Sequence, residues 1–110
     1  MEQVTNNLRV SGTVEAGLAR LRVAGDVDLA TAQIVRQAIG EALDEGAREI
    51  ELDLGEVGFL DSTGLSVLLH AARDVDRRRA SLRTFAPIGS EARVVMDLAR
   101  VADLLALQAG

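Results

Sequence analysis

Two short polar segments of the chain carry side chains that could do chemistry. One is Gly-Asp-Val-Asp at 25–28, and the other is Asp-Ser-Thr-Gly at 61–64. Each precedes a stretch with helical periodicity, and a helix N-terminus offers free amides and a partial positive charge that accommodate a phosphate. Ser62 is therefore a candidate phosphoacceptor. The alternative is that Ser62 caps the helix, its oxygen accepting a bond from an amide two or three residues further on.

Other polar residues allow a functional and a structural interpretation in the same way. Asp26 and Asp28 are either a carboxylate pair or a turn acid followed by a helix cap. The arginine run at 77–79 is either a basic patch or a complement to a helix dipole. A polar stripe at spacings of four and three is either a docking surface with Ser62 at its tip or an ordinary exposed helix face: Ser62, Ser66, His70, Arg73 and Arg77.

Composition excludes several classes of function. The 110 residues include no cysteine and one histidine, so a disulfide framework, Cys-ligated zinc and iron–sulfur clusters are excluded. That histidine, His70, lies two helical turns beyond Ser62, which leaves no base–nucleophile pair. The formal net charge of −5 and the absence of Trp and Tyr argue against a nucleic-acid surface. We expect no catalytic residue, no metal, no cofactor and no direct nucleic-acid partner.

The length and the 48% apolar content predict one globular domain over residues 1–110. The first residues lack a basic region followed by an apolar one, which argues against a signal peptide. No apolar run approaches the about 20 residues needed to span a bilayer. We therefore expect a cytoplasmic protein that does not contact a membrane.

The elements that must position the two polar segments follow from changes in periodicity. Residues 19–24 and 49–54 alternate apolar with charged side chains, which predicts strands with one solvated face and helices mainly on the other. The predicted order is a strand at 8–14, the strand at 19–24, a helix at Ala30–Glu45 capped by Asp28 or Thr31, the strand at 49–54, a helix at Ser62–Arg77, a strand at Ser81–Phe85, a helix from a Ser90 cap to near Val101, and a strand or helical tail at Leu104–Leu107.

This order predicts an α/β fold with a small mixed sheet. The polar loops at 25–28 and 58–64 should lie side by side where two parallel strands end, which is where open α/β sheets place their sites. Two helix faces are predicted to be buried: Leu65, Leu68, Leu69 and Ala72 with Val75 near the edge, and Val94, Val95 and Leu98.

The segments at 25–28 and 57–65, with the strand order between them, resemble the STAS domain and, more closely, the single-domain anti-sigma-factor antagonists of bacteria. The resemblance extends from about Leu8 to Leu107. It implies a STAS-like domain in which Ser62, the serine after the Asp of the motif, is phosphorylated. It also implies a partner-binding surface made of Asp26, Asp28, Asp61, Thr63, Gly64, Leu65 and Ser66.

The resemblance further implies partner switching. The unphosphorylated chain would bind an anti-sigma factor that is also a Ser/Thr kinase, and a separate Ser/Thr phosphatase would reverse the phosphorylation. We expect a monomer when the chain is free. Three sites depart from the family pattern. Ser66 stands where a glycine is common, Gly25-Asp26 where Gly-Glu is more frequent, and Arg100-Val101 where Gly-Leu often ends the third helix. The alternative is a STAS binding module of a stress-sensing scaffold or the soluble subunit of a lipid transporter.

Overall fold

A computed structural model describes residues 2–5 and 7–108 of the chain. The elements are β1 (Glu2–Val4), β2 (Leu8–Glu15), β3 (Leu18–Val27), α1 (Ala32–Asp44), β4 (Glu49–Leu60), α2 (Ser62–Arg77), β5 (Ser81–Phe85) and α3 (Glu91–Ala99). The strands form one sheet in the order β1-β2-β3-β4-β5. β1, β2 and β3 pair antiparallel, whereas β3, β4 and β5 are parallel. The predicted mixed sheet is confirmed, with β1 as an additional strand too short to show an alternating pattern.

One face of the sheet carries the core and the other carries charge. All three helices contribute buried side chains to a single apolar cluster with the strands. On the opposite face Arg20 Nε lies 3.2 Å from Glu51, and Arg22 Nε lies 4.0 Å from Asp53. These pairs join β3 to β4 across the solvated side, so the predicted one-sided arrangement is confirmed.

The two central strands are longer than their alternation predicts. The strand expected at 49–54 continues to Leu60, and the strand expected at 19–24 continues to Val27. Beyond Leu54 the register of β4 against β3 shifts twice, and each shift leaves one extra residue in β4. A bulge breaks the two-residue period. Residues 25–27 and 58–60, predicted as loop, are therefore strand.

The helices confirm some predicted faces and correct others. α2 has the predicted bounds and buries Leu65 and Leu68, but Val75 is fully buried while Leu69 and Ala72 are only partly covered. Within the described part of the chain, no helix is both long and apolar enough to cross a bilayer.

The predicted buried face of α3 is wrong for Val94 and Leu98, whereas Val95 is partly buried and packs against the core. The buried residues of this helix are Ala92 and Met96, whereas Val94 is 46% and Leu98 80% exposed. Ala92 and Met96 are four residues apart, so they share one face of the helix, and both belong to the core cluster. Arg100, the C-cap residue that follows α3, has a left-handed backbone (φ 57°). The family that the sequence resembles often has glycine at this position.

The segment at 104–107 is neither the strand nor the helical tail that were predicted. It forms turns, and Leu107 makes an isolated parallel bridge to Thr84 on the free edge of β5. The Thr84 amide donates to the Ala106 carbonyl at 3.2 Å, and the Gln108 amide donates to the Thr84 carbonyl at 2.9 Å. The tail therefore covers part of an edge strand that would otherwise present free backbone groups.

Candidate functional site

The two polar segments meet where β3 and β4 end. The Asp61 amide lies 3.4 Å from the carbonyl oxygen of Val27, the last residue of β3. The first turn of α2 therefore sits directly over the end of β3, beside the loop that leads into α1. The predicted juxtaposition of the two segments at one edge of the sheet is found in the structure.

Asp61, and not Ser62, caps α2. Its backbone is extended, and its carboxylate oxygen Oδ1 accepts a hydrogen bond from the Gly64 amide at 2.7 Å. The N-cap interpretation of Ser62 is therefore wrong. Ser62 is the first helical residue, its side chain is exposed, and its hydroxyl makes no hydrogen bond to any residue that the structure describes. Aspartate and serine are both favoured caps, so their adjacent positions left the choice open.

Gly64 and Leu65 position this turn against β3 and the core. A Cβ on Gly64 would collide with the Val27 carbonyl oxygen, so only glycine lets α2 begin this close to β3. Leu65 is 6% exposed and belongs to the core. Of the predicted partner-binding residues, these two have no side chain at the surface, whereas Thr63 and Ser66 are exposed beside Ser62.

The loop before α1 is held by hydrogen bonds to two side chains. The Thr31 hydroxyl donates to the Asp26 carbonyl at 2.6 Å and accepts from the Asp28 amide at 3.1 Å. The Asp28 carboxylate accepts from the amides of Ala30 at 2.9 Å and Thr31 at 3.1 Å, as in an Asx turn. Thr31 occupies the N-cap position without a side-chain cap bond, and Asp28 serves the amides just before the helix.

Two exposed apolar residues that the sequence analysis missed stand at this same edge. Leu29, at the apex of the loop, is 74% exposed, and Phe59, near the end of β4, is 44% exposed. Phe59 is aligned with Asp26 on the neighbouring strand. Apolar side chains inside polar motifs look like core residues, and only the extent of β4 and the shape of the loop show that these two face solvent.

The charges of the molecule are distributed unevenly. Asp26, Asp28 and Asp61 take part in none of the salt bridges found among the described residues. In contrast, Arg36 of α1 makes a two-pronged contact with Asp74 of α2, with distances of 2.6 and 3.0 Å. Hydrogen bonds from Arg36 lower the pKa of the Asp74 carboxyl below its ordinary value, although burial opposes the shift.

The remaining polar residues of α2 do not form a second site. His70 and Arg73 are exposed, and Arg77 is bound to Asp74 at 2.7 Å. Arg78 pairs with Asp44 of α1 at 2.9 Å. The arginine run is thus partly neutralised, by one ion pair within α2 and one with α1. Within residues 2–5 and 7–108, no group of three or more His, Cys, Asp or Glu residues is arranged to hold a metal ion.

Comparison with known proteins places this geometry in a family. A family model described as "Mlab, STAS domain" matches residues 8–108, so the chain belongs to the STAS domain family. The anti-sigma-F factor antagonist RsfB of Mycobacterium tuberculosis is 40% identical over 52 residues. That match covers 47% of this chain and 43% of RsfB, so the chain spans less than half the length of that relative.

Solved structures share the whole fold. An anti-sigma factor antagonist from Mycobacterium paratuberculosis has a TM-score of 0.79 at 22% identity, covering 97% of this chain and 90% of that one. Unphosphorylated SpoIIAA matches at 0.70, with 17% identity and coverage of 91% and 88%. SpoIIAA of Bacillus in its phosphorylated form matches at 0.65, with 17% identity and coverage of 91% of each chain. At these identities the likeness shows the fold.

Proposed function

We propose that this chain is an anti-sigma-factor antagonist: unphosphorylated, it binds an anti-sigma factor and so frees the sigma factor. The observation that carries the proposal is the state of Ser62. Ser62 is exposed in the first turn of α2. The contacts that fix this turn are made by Asp61 and Gly64, and Ser62 does not take part in them. The sequence relative RsfB carries the name of an antagonist, which supports the same role.

Phosphorylation of Ser62 is the proposed switch. A phosphate would add about two negative charges next to the Asp61 carboxylate. The first amides of α2 and its dipole favour an anion there, so the modification need not unfold the helix. The charge instead changes what can dock, because a phosphate that contacts apolar or acidic groups of a partner must give up its hydration. A loss of about 3 kcal/mol of binding free energy is more than a hundredfold in affinity.

The resemblance to the anti-sigma-factor antagonists supplies the proposed partners of this switch. The anti-sigma factor would itself be the Ser/Thr kinase, and a separate Ser/Thr phosphatase would restore binding. The chain acts as a non-catalytic binding module in the cytoplasm, without nucleic acid, membrane or cofactor, and is a monomer when free. The partner-facing residues are Asp26, Asp28, Asp61, Thr63 and Ser66 around Ser62, with Gly64 and Leu65 shaping the turn beneath them.

Intact-mass measurement after incubation with ATP and each candidate kinase of the host tests the proposal. We expect one added phosphate on the wild-type chain and none on Ser62→Ala. Thr63→Ala is the matched control, because it removes the neighbouring hydroxyl and should leave the added phosphate in place. Absence of phosphate with every kinase would contradict the switch and favour the scaffold or lipid-transporter module, which keeps the fold and binds another partner.

A further inference from the structure

We propose that Leu29 and Phe59 are the apolar anchors with which this chain docks on its anti-sigma partner, and that the matching partner surface is an apolar centre bordered by Arg or Lys side chains. The inference rests on the proposed function and names the contact that Ser62 controls. Leu29 directly follows the polar motif at 25–28 and Phe59 lies within the segment at 57–65, but the sequence analysis assigned no role to either side chain.

Both side chains are exposed at the edge of the sheet where α2 begins. Leu29 is 74% and Phe59 44% exposed. Leu29 lies two residues beyond Val27, whose carbonyl oxygen is 3.4 Å from the amide of Asp61 at the start of α2. Phe59 precedes Ser62 by three residues. The two apolar groups therefore stand at the same edge of the sheet as the serine.

Hydrogen bonds hold the backbone of the loop that carries Leu29, and this distinguishes Leu29 from an ordinary exposed leucine. Single apolar residues at a protein surface need no explanation. Here the residues on both sides of Leu29 are fixed by Asp28 and Thr31, whose side chains make four hydrogen bonds of 2.6–3.1 Å to backbone groups of the loop. A loop whose backbone is held before binding loses less entropy when it docks, and well-placed apolar anchors dominate interface energetics.

The surrounding charge indicates what lies opposite. The carboxylates of Asp26, Asp28 and Asp61 border the two anchors and join none of the salt bridges among the described residues. Asp26 makes its contacts through its backbone, so its carboxylate is available to a partner. Complementary basic groups at the rim speed association and orient the partner around the apolar centre.

This surface gives the switch a physical basis. A phosphate on Ser62 would face the apolar centre of the partner surface and not its basic rim, and there its hydration would be lost without compensation. The anchors and the phosphate therefore act on the same interface. Once a negative charge occupies position 62, removing Leu29 should cost little further affinity, because the contact that Leu29 makes is already disrupted.

The test measures the affinity of variants for the anti-sigma kinase that phosphorylates the wild-type chain. Leu29→Ala should weaken binding at least tenfold, while Leu98→Ala, which shortens an 80% exposed leucine on α3, should stay within twofold of wild type. Phe59→Ala has a matched control in Phe85→Ala, since Phe85 is 37% exposed on the open face of the sheet. Thermal denaturation of each variant shows that it is folded.

Two further measurements complete the test. Asp26→Asn should weaken binding severalfold and reduce its dependence on salt. In the Ser62→Asp background, Leu29→Ala should change affinity less than threefold. Equal effects of Leu29→Ala and Leu98→Ala would overturn the inference while leaving the proposed function intact, provided that the wild-type chain binds and is phosphorylated. If no anti-sigma kinase binds the wild-type chain, the proposed function and this inference fall together.

Discussion

Two hydroxyl-bearing residues stand at the starts of α1 and α2, and the fold uses them in opposite ways. Thr31 is 5% exposed, and its hydroxyl both donates to the Asp26 carbonyl and accepts from the Asp28 amide. Ser62 is exposed, and its hydroxyl makes no hydrogen bond to a described residue. The difference arises because Asp61 caps the first turn of α2 and Gly64 lets that turn pack against β3, so neither role falls to Ser62.

This comparison shows how a surface can be switched without being unfolded. A phosphate on a buried, bonded hydroxyl such as that of Thr31 would break the loop that presents Leu29. A phosphate on Ser62 adds charge outside a turn that is already capped. On this proposal, Thr31, Asp61 and Gly64 stabilise the edge of the sheet and Ser62 controls binding, so single substitutions should separate the two effects.

The largest expected effect concerns the glycine that lets α2 start beside β3. Gly64→Ala places a methyl group against the Val27 carbonyl, a backbone atom that cannot move aside, and should lower the free energy of unfolding by about 3 kcal/mol. Gly40→Ala is the control, because a Cβ at Gly40 in the middle of α1 meets nothing within 4 Å. It should stabilise the protein by up to about 1 kcal/mol. Urea denaturation measures both, and equal stabilities would refute the role given to Gly64.

Thr31→Val should have the next largest effect. It keeps the shape of the side chain but leaves the Asp28 amide and the Asp26 carbonyl without their partner, at a cost of about 2 kcal/mol. Hydrogen exchange of the 26–31 amides should accelerate more than that of β4. A variant as stable as wild type would mean that the loop does not depend on Thr31, and the comparison with Ser62 would fail.

A smaller effect, with a defined pH dependence, is expected from the ion pair between α1 and α2. Arg36 lowers the pKa of Asp74 in the folded state, so the pair stabilises the fold at pH values above the ordinary carboxyl pKa of 3.8. That stability is lost as the pH falls through 3.8 towards the lowered value. Arg36→Gln should cost about 1 kcal/mol at pH 7 and progressively less below pH 4. A cost that does not change with pH would show that packing, rather than charge, accounts for it.

The smallest effect on stability is expected at Ser62 itself. Because Asp61 is the cap, Ser62→Ala should change the free energy of unfolding by less than about 0.5 kcal/mol. Asp61→Ala, which removes the cap one residue earlier, should cost about 1 kcal/mol and provides the matched control. Ser62→Ala should also keep binding the anti-sigma partner after incubation with kinase and ATP. A loss of binding would place Ser62 in the contact itself.

Much of this molecule could be predicted from the sequence, for reasons that lie in particular residues. The regular alternation at 49–54 and the stripe of Leu65 and Leu68 are signals of period 2 and period 3.6, and both elements are found in the structure. The pairing of the two polar segments followed from the topology of parallel strands. The motif at 61–64 supplied the candidate serine.

What the sequence did not predict depends on interactions between elements. The bulges in β4 depend on its pairing with β3, so alternation ended at Leu54 while the strand did not. The choice between Asp61 and Ser62 as cap depends on backbone geometry, since both residue types are good caps. The buried face of α3 is formed by Ala92 and Met96, although Val94 and Leu98 are equally apolar in the sequence. The exposure of Leu29 depends on a loop whose hydrogen bonds join residues up to five positions apart.

The central claim is that a phosphate on Ser62 changes binding and leaves the fold unchanged. The most direct test compares the chain carrying phosphoserine at position 62 with the unmodified chain, measuring thermal stability and affinity for the anti-sigma partner on the same samples. The account predicts midpoints within about 2 °C of each other, as for a surface change of a few tenths of a kcal/mol, and an affinity at least a hundredfold lower for the modified chain. Equal affinities, or a phosphorylated chain that unfolds, would contradict it.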